Sequence, residues 1–226
     1  MSVGLFDKIS IGNLVLENRI NVAPMCQYSA VSGTMTDWHL VNLGQVAMGG
    51  PGLITIEATA VEPEGRITHG CTGLYSDENE KEMKRVIDFC KSVGHSKIAI
   101  QLAHAGRKAS SQRPWEGGNA LPESDGWLTY SSSPNKFAED WHTPEELDQT
   151  GLKRIIRKFV ESTERSIRMG VDAVELHCAH GYLLHQFLSP ICNERIDAYG
   201  GSFDNRVKFP LEVLEAVKTV LPKEIP

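Results

Sequence analysis

Apolar positions in this chain follow two spacings that alternate. Residues 52–61 (GLITIEATAV), 97–104 (KIAIQLAH) and 171–177 (VDAVELH) are short runs of apolar and β-branched residues. Such runs suit strands buried on both faces. Between them, apolar residues recur at helical spacing. In residues 77–94 (DENEKEMKRVIDFCKSVG), acids fill the first turn, Met83, Val86, Ile87 and Cys90 form a stripe, and Gly94 ends the pattern. Residues 36–50 (TDWHLVNLGQVAMGG) predict another helix stopped by Gly49 and Gly50. Residues 143–170 predict a long one, with Thr143 as N-cap, Pro144 at the first position and Glu146 closing a capping box. Residues 202–221 predict a last helix, capped by Ser202 or Asp204, in which Pro210 marks a kink or the effective start. Upstream, residues 9–20 read as a hairpin around Gly12-Asn13, and NVAPMC (21–26) as a short strand interrupted by Pro24.

A hairpin followed by four β-α units predicts a parallel sheet with right-handed crossovers. A closed eight-unit barrel takes about 250 residues. The 226 residues here hold too few strands for one, because 105–142 are a long loop rich in Gly, Ser, Pro and Trp. A loop of that length in a compact domain is usually functional.

Composition narrows the function. The net charge is −6, which gives no support to nucleic-acid binding. No uncharged apolar stretch is long enough to span a membrane, and MSVGLFDKIS lacks the plan of a signal peptide. Five widely spaced cysteines, odd in number and without a CxxC pair, predict a reduced, cytoplasmic protein.

Candidate chemistry collects at the ends of the predicted strands, where α/β proteins build active sites. His177, His180 and Tyr182 follow the fourth strand of the repeat. The histidines can bond loop carbonyls, bind zinc, or aim two N–H groups at one substrate oxygen. Zinc needs three or four ligands, and His-x-x-His at a strand end is not the helical i, i+4 pair. Cys26 and Tyr28 follow the first strand, and a buried free thiol there is ordinary packing. Ala58 and Gln101 end the second and third strands. A glutamine in that position pins a loop or meets a ligand edge that offers both a donor and an acceptor. His104, Arg107 and Lys108 belong to the same rim.

These segments, and above all residues 175–206 (ELHCAHGYLLHQFLSPICNERIDAYGGSFDNR), closely resemble the Old Yellow Enzyme family. Cys26 with Tyr28, and RPWEGG at 113–118, resemble its bacterial thermophilic-like and xenobiotic-reductase branch. The resemblance implies a TIM-type (β/α) barrel of which this chain is the N-terminal half, about four β-α units behind a hairpin. It implies an ene-reductase that uses FMN, with NADPH or NADH as reductant and an enone-type small molecule as substrate. Members are homo-oligomers when full length. In the family, positions matching Ala23, Pro24, Met25, Cys26, Ala58 and Gln101 line the flavin. Those matching Tyr28, His177 and His180 meet the substrate, and the one matching Tyr182 donates a proton. The family also places an arginine on the fifth strand and phosphate-holding loops after the seventh and eighth. None of these has a counterpart before LPKEIP ends the sequence. The alternative expectation is therefore a catalytically incompetent, truncated fragment.

Overall fold

The computed structural model describes residues 4–226, so the first three residues of MSVGLFDKIS lie outside the described residues. Strands β1 (Ile9–Ile11) and β2 (Leu14–Leu16) form the expected hairpin, with Gly12 at φ 57° in its two-residue turn. Strands β3 (Asn21–Val22), β4 (Leu53–Ala60), β5 (Lys97–Ala103) and β8 (Ala173–Leu176) form one parallel sheet in the order β3-β4-β5-β8. Helices α1 (Asp37–Met48), α2 (Asp77–Val93), α3 (Gln149–Met169) and α5 (Phe203–Val220) complete four β-α units. This is an open sheet of the (β/α)-barrel type.

The helices cover one face of the sheet. Ile54, Ile56, Ile100 and Leu102 pack there with Met83, Val86, Ile87, Phe159 and Phe209. A smaller cluster of Leu14, Leu16, Leu53 and Ala99 joins the hairpin to the N-terminal ends of β4 and β5. The hairpin thus closes the bottom of the sheet and leaves the C-terminal rim free for chemistry.

Four expectations change. The helix predicted from Thr143 begins at Gln149, with Asp148 as N-cap accepting from the Gly151 N–H at 2.7 Å. Residues Glu145–Glu146 form a strand, β7, parallel to β6 (Tyr130–Ser131). The Leu147 N–H donates to Ser131 O, and its side chain is buried. Long-range pairing and burial outweigh a local capping signature there. Strand β3 stops at Val22, so Ala23 to Cys26 are extended chain without ladder partners. Residues read as loop form a short helix, α4 (Leu183–Leu188), whose Leu183, Leu184 and Phe187 are buried. Pro210 lies inside α5 rather than starting it, and Ser202 is the cap.

Strand β4 carries a bulge. Ile56 faces Ile100 and Thr59 faces Leu102, so Glu57 and Ala58 together oppose Gln101.

Candidate active site

All four strands run the same way, so their C-terminal ends share a rim. Ala58, Gln101 and His177 lie there on adjacent strands, with the His177 N–H donating to Leu102 O at 2.9 Å. Cys26 joins them by contact, because it neighbours Glu57 and Ala58.

His177 is buried, and burial, followed by repulsion that a second positive charge on neighbouring His180 would bring, lowers its pKa to about 4, so it is neutral near pH 7. Its Nδ1 accepts from the Ala179 N–H at 3.2 Å, which leaves the ring proton on Nε2. His177 Nε2 lies 3.2 Å from His180 Nδ1 and donates to it. That leaves Nε2–H as the donor of His180. The tautomers follow from the hydrogen-bond pattern. The two donors expected to aim at one oxygen are therefore in series: His177 donates to His180, and one N–H faces outward.

A tight turn produces this arrangement. His180 and Gly181 both adopt left-handed backbone, φ 57° and 75°. A non-glycine residue there costs about 1 kcal/mol, and the surroundings hold it. Lys108 Nζ donates to His180 O at 3.0 Å, and Gln186 Nε2 donates to Gly181 O at 2.7 Å. Tyr182 follows as N-cap of α4, its ring edge-on to His177 at 4.8 Å between centroids. Burial pushes the Tyr182 phenol well above its ordinary pKa, so it keeps its proton at neutral pH. Lys108 also lies over the Tyr182 ring, 5.2 Å from its centroid.

Tyr28 sits on the opposite flank in left-handed backbone, φ 52°, edge-on to Trp115. Burial, then nearby thiols, push its pKa up to about 12. The Cys26 thiol neighbours Cys71. Glu57 lies behind them, accepting from the Gln27 N–H at 3.0 Å. Burial, then Cys71, push the Glu57 carboxyl up to about 8. Among the described residues, its Oε1 has no hydrogen-bond partner, and neither has His39 Nε2, which is 3.9 Å from Glu57 Oε2. Burial lowers His39 to about 4.

Gln101 does not stand free. Its Nε2 donates to Glu175 Oε1 on β8 at 2.6 Å. That fixes the amide across the strand and leaves its carbonyl oxygen and second N–H uncommitted among the described residues. His104 is structural. Its Nδ1 accepts from the Gly106 N–H and its Nε2 donates to Glu62, which also meets Arg154. Arg107 is likewise turned away from the rim cluster, donating to Asn135 O and Lys136 O.

Sequence reasoning missed Glu57, Cys71, Glu175 and Gln186. Glu57 left a signal, a lone carboxylate in a run buried on both faces. Gln186 left another, one amide in the apolar stretch LLHQFL. It is fully enclosed, receives Arg107 N–H and Ser131 Oγ–H, and donates to Ala105 O as well as Gly181 O.

Comparison with known proteins decides the family. The sequence pattern of the NADH:flavin oxidoreductase / NADH oxidase family matches residues 4–225. The chain belongs to this family. An NADH:flavin oxidoreductase of Gibberella zeae is 42% identical over 230 residues, covering 100% of this chain and 55% of that protein. An NADPH dehydrogenase of Bacillus subtilis is 40% identical over 222 residues, covering 97% of this chain and 61% of the relative. Among solved structures, morphinone reductase matches with a TM-score of 0.85 at 31% identity, over 98% of this chain and 60% of that one. Old Yellow Enzyme from a Pichia species matches with a TM-score of 0.84 at 29% identity, over 98% and 58%. The chain thus spans little more than half the length of these relatives. FMN is the cofactor of this flavin oxidoreductase family, with a nicotinamide as reductant. The rim suits a flat ring that offers donor and acceptor atoms. Ala58 is small, and Gln101 beside it has a carbonyl oxygen and an N–H to spare. Among the described residues, no group of three or more His, Cys, Asp or Glu could hold a metal ion, and no helix is long and apolar enough to cross a membrane.

Proposed function

We propose that these residues form the substrate pole and part of the flavin face of an FMN-dependent ene-reductase. The substrate is an activated alkene such as an enone or a maleimide, and NADPH or NADH is the reductant. The observation that carries this reading is the linked set His177, His180 and Tyr182 on the same rim as Ala58 and Gln101. Bound FMN would supply two-electron chemistry, passing hydride from the nicotinamide to the alkene β-carbon.

Negative charge then grows on the substrate carbonyl oxygen. His180 Nε2–H is free to donate to that oxygen. His177 Nε2–H can join it once the oxygen replaces His180 Nδ1 as its acceptor. Removing one such donor elsewhere costs roughly 3–4 kcal/mol of transition-state stabilisation. Tyr182, held protonated by its burial, gives its proton to the α-carbon. Ala23, Pro24, Met25, Cys26, Ala58 and Gln101 hold the flavin ring, and Tyr28 closes the substrate side.

A second reading is that these 226 residues alone support no turnover. It is favoured by the open sheet, in which β3 and β8 each pair with one strand. Titration with FMN, followed by a phenol and then by maleimide with NADPH, separates the two. A yellow stoichiometric complex whose flavin absorption responds to phenol, and loses that response in His177→Ala, supports the first. A colourless, self-associated protein supports the second. Phenol binding unaffected by His177→Ala would sink the assignment of the histidine pair.

A further inference from the structure

Cys71 has no part in the reaction proposed above, yet the fold brings it to Cys26. The loops that carry the two cysteines are locked backbone to backbone. The Ala30 N–H donates to Gly70 O at 2.9 Å. Gly70 lies so near the Tyr28 carbonyl that a Cβ would come within 2.3 Å of its oxygen. The residue before Cys71 is thus held against a residue two beyond Cys26, and the Cys26 and Cys71 side chains are neighbours. Thr68 adds its N–H at 3.4 Å from the Cys71 sulfur and its hydroxyl at 3.4 Å. These donors favour a thiolate at Cys71. The neighbouring Cys26 thiol contributes most, and against the opposing effect of burial the Cys71 thiol falls to about 7. The same neighbour, followed by burial, pushes Cys26 well up, so it keeps its proton. Glu57, Tyr28 and Tyr182 are the other titratable groups facing the pair. One sulfur is therefore set up as nucleophile and the other as a protonated resolving partner.

We propose that Cys26 and Cys71 form a dithiol site oxidised by hydrogen peroxide to an intrachain disulfide. In the first step the Cys71 thiolate attacks one peroxide oxygen. The O–O bond breaks, Cys71 becomes a sulfenic acid, and the departing hydroxide is neutralised to water by the proton that Cys71 gave to solvent on becoming a thiolate. In the second step the Cys26 sulfur displaces the hydroxyl group of that sulfenic acid. The S–S bond forms, the S–O bond breaks, and the Cys26 proton leaves with the hydroxyl as water. Overall, two thiols and one peroxide give one disulfide and two waters. Cys71 is enclosed, 1% exposed, which selects an oxidant as small as peroxide over a bulky disulfide reagent. Oxidation turns Cys26 toward Cys71 and removes a free thiol from the rim.

The test uses the whole 226-residue chain without flavin or substrate, so its outcome is independent of the ene-reductase reading. The chain is exposed to peroxide, free thiols are alkylated, and tryptic peptides are weighed; cleavage after Arg66 separates the two cysteines. The expected product is a peptide pair joined through Cys26 and Cys71 and lighter by two hydrogens, with Cys90, Cys178 and Cys192 alkylated. It should form about tenfold faster in the native chain than in urea. In Cys26→Ser, a sulfenic acid at Cys71 should be trapped by dimedone. In Cys71→Ser, Cys26 should remain alkylatable under the same exposure. Circular dichroism identifies any variant that has lost the fold, and the parent reaction stands as the test in that case. Full alkylation of both cysteines in the peroxide-treated parent, a different joined pair, or equal rates in native and unfolded chain would overturn the proposal.

Discussion

The two flanks of the rim use similar side chains and hold them in opposite ways. Beside β8, His177, His180 and Tyr182 are placed by directed bonds, with Ala179, Lys108 and Gln186 fixing the turn between them. Beside β3, Cys26 and Tyr28 are half-buried, Glu57 and His39 are enclosed with one backbone N–H donated to each, and two of their buried polar atoms have no partner among the described residues. Directed bonds choose one geometry and one tautomer. Burial shifts protonation on both flanks, but only beside β3 does it act on a carboxyl and a pair of neighbouring thiols, which makes that flank the more sensitive to alkaline pH and to oxidation.

The largest expected effect breaks the β8 flank. In flavin-loaded protein, His177→Ala should slow alkene reduction by about 10²-fold or more, with a smaller effect on flavin reduction by NADPH. Stopped-flow kinetics of the two half-reactions checks this, and equal losses would point to a damaged fold.

The β3 flank should respond to neutralising Glu57. Its folded pKa is raised from an ordinary 4.5 to about 8. The folded chain therefore keeps a proton that the unfolded chain gives up. The stabilisation is complete below pH 4.5 and is lost as pH rises through about 8. Glu57→Gln stays neutral and should be more stable than the parent at pH 8 by up to a few kcal/mol, a gap that closes near pH 4.5. Urea midpoints at the two pH values measure it, and a gap independent of pH would refute the assignment. His39 has the opposite window. Its pKa falls to about 4, so its contribution is present above pH 6.5 and is lost as pH falls toward 4.

A smaller effect sharpens the role of directed bonds. Gln186→Leu leaves Gly181 O, Ala105 O and Ser131 Oγ–H without that partner and should cost about 1–3 kcal/mol. Gly181→Ala, at φ 75°, should cost about 1 kcal/mol and broaden the His180 ring resonances in NMR spectra.

Much of the fold was readable because strand and helix spacing are separate signals. The four β-α units and the hairpin follow from apolar spacing alone, as does the rim that collects Ala58, Gln101 and His177. Thr143-Pro-x-Glu misled because it is a complete local helix start, while the competing partner, Tyr130–Ser131, is distant in sequence. The site was half legible for a similar reason. His177 and His180 are close in the chain, but their series hydrogen bond depends on the left-handed backbone of His180. Cys71 could not be linked to Cys26 from sequence, because their contact rests on loop packing at Gly70.

The bulge in β4 makes chain length matter there in its own right. Glu57 and Ala58 share one position opposite Gln101, so side chains beyond them resume pairing one residue out of step. Deleting either residue would restore one-to-one pairing and leave Thr59 opposite Leu102 and Ala60 opposite Ala103, both facing as they do now, but would remove one of the two side chains that meet Gln101 at the rim. Substitution here changes which groups meet Gln101, whereas deletion changes how many do and removes the local twist that spreads them. A sequence alignment that opens a one-residue gap at these positions would still equate residues that face the same layer of the protein on either side of it.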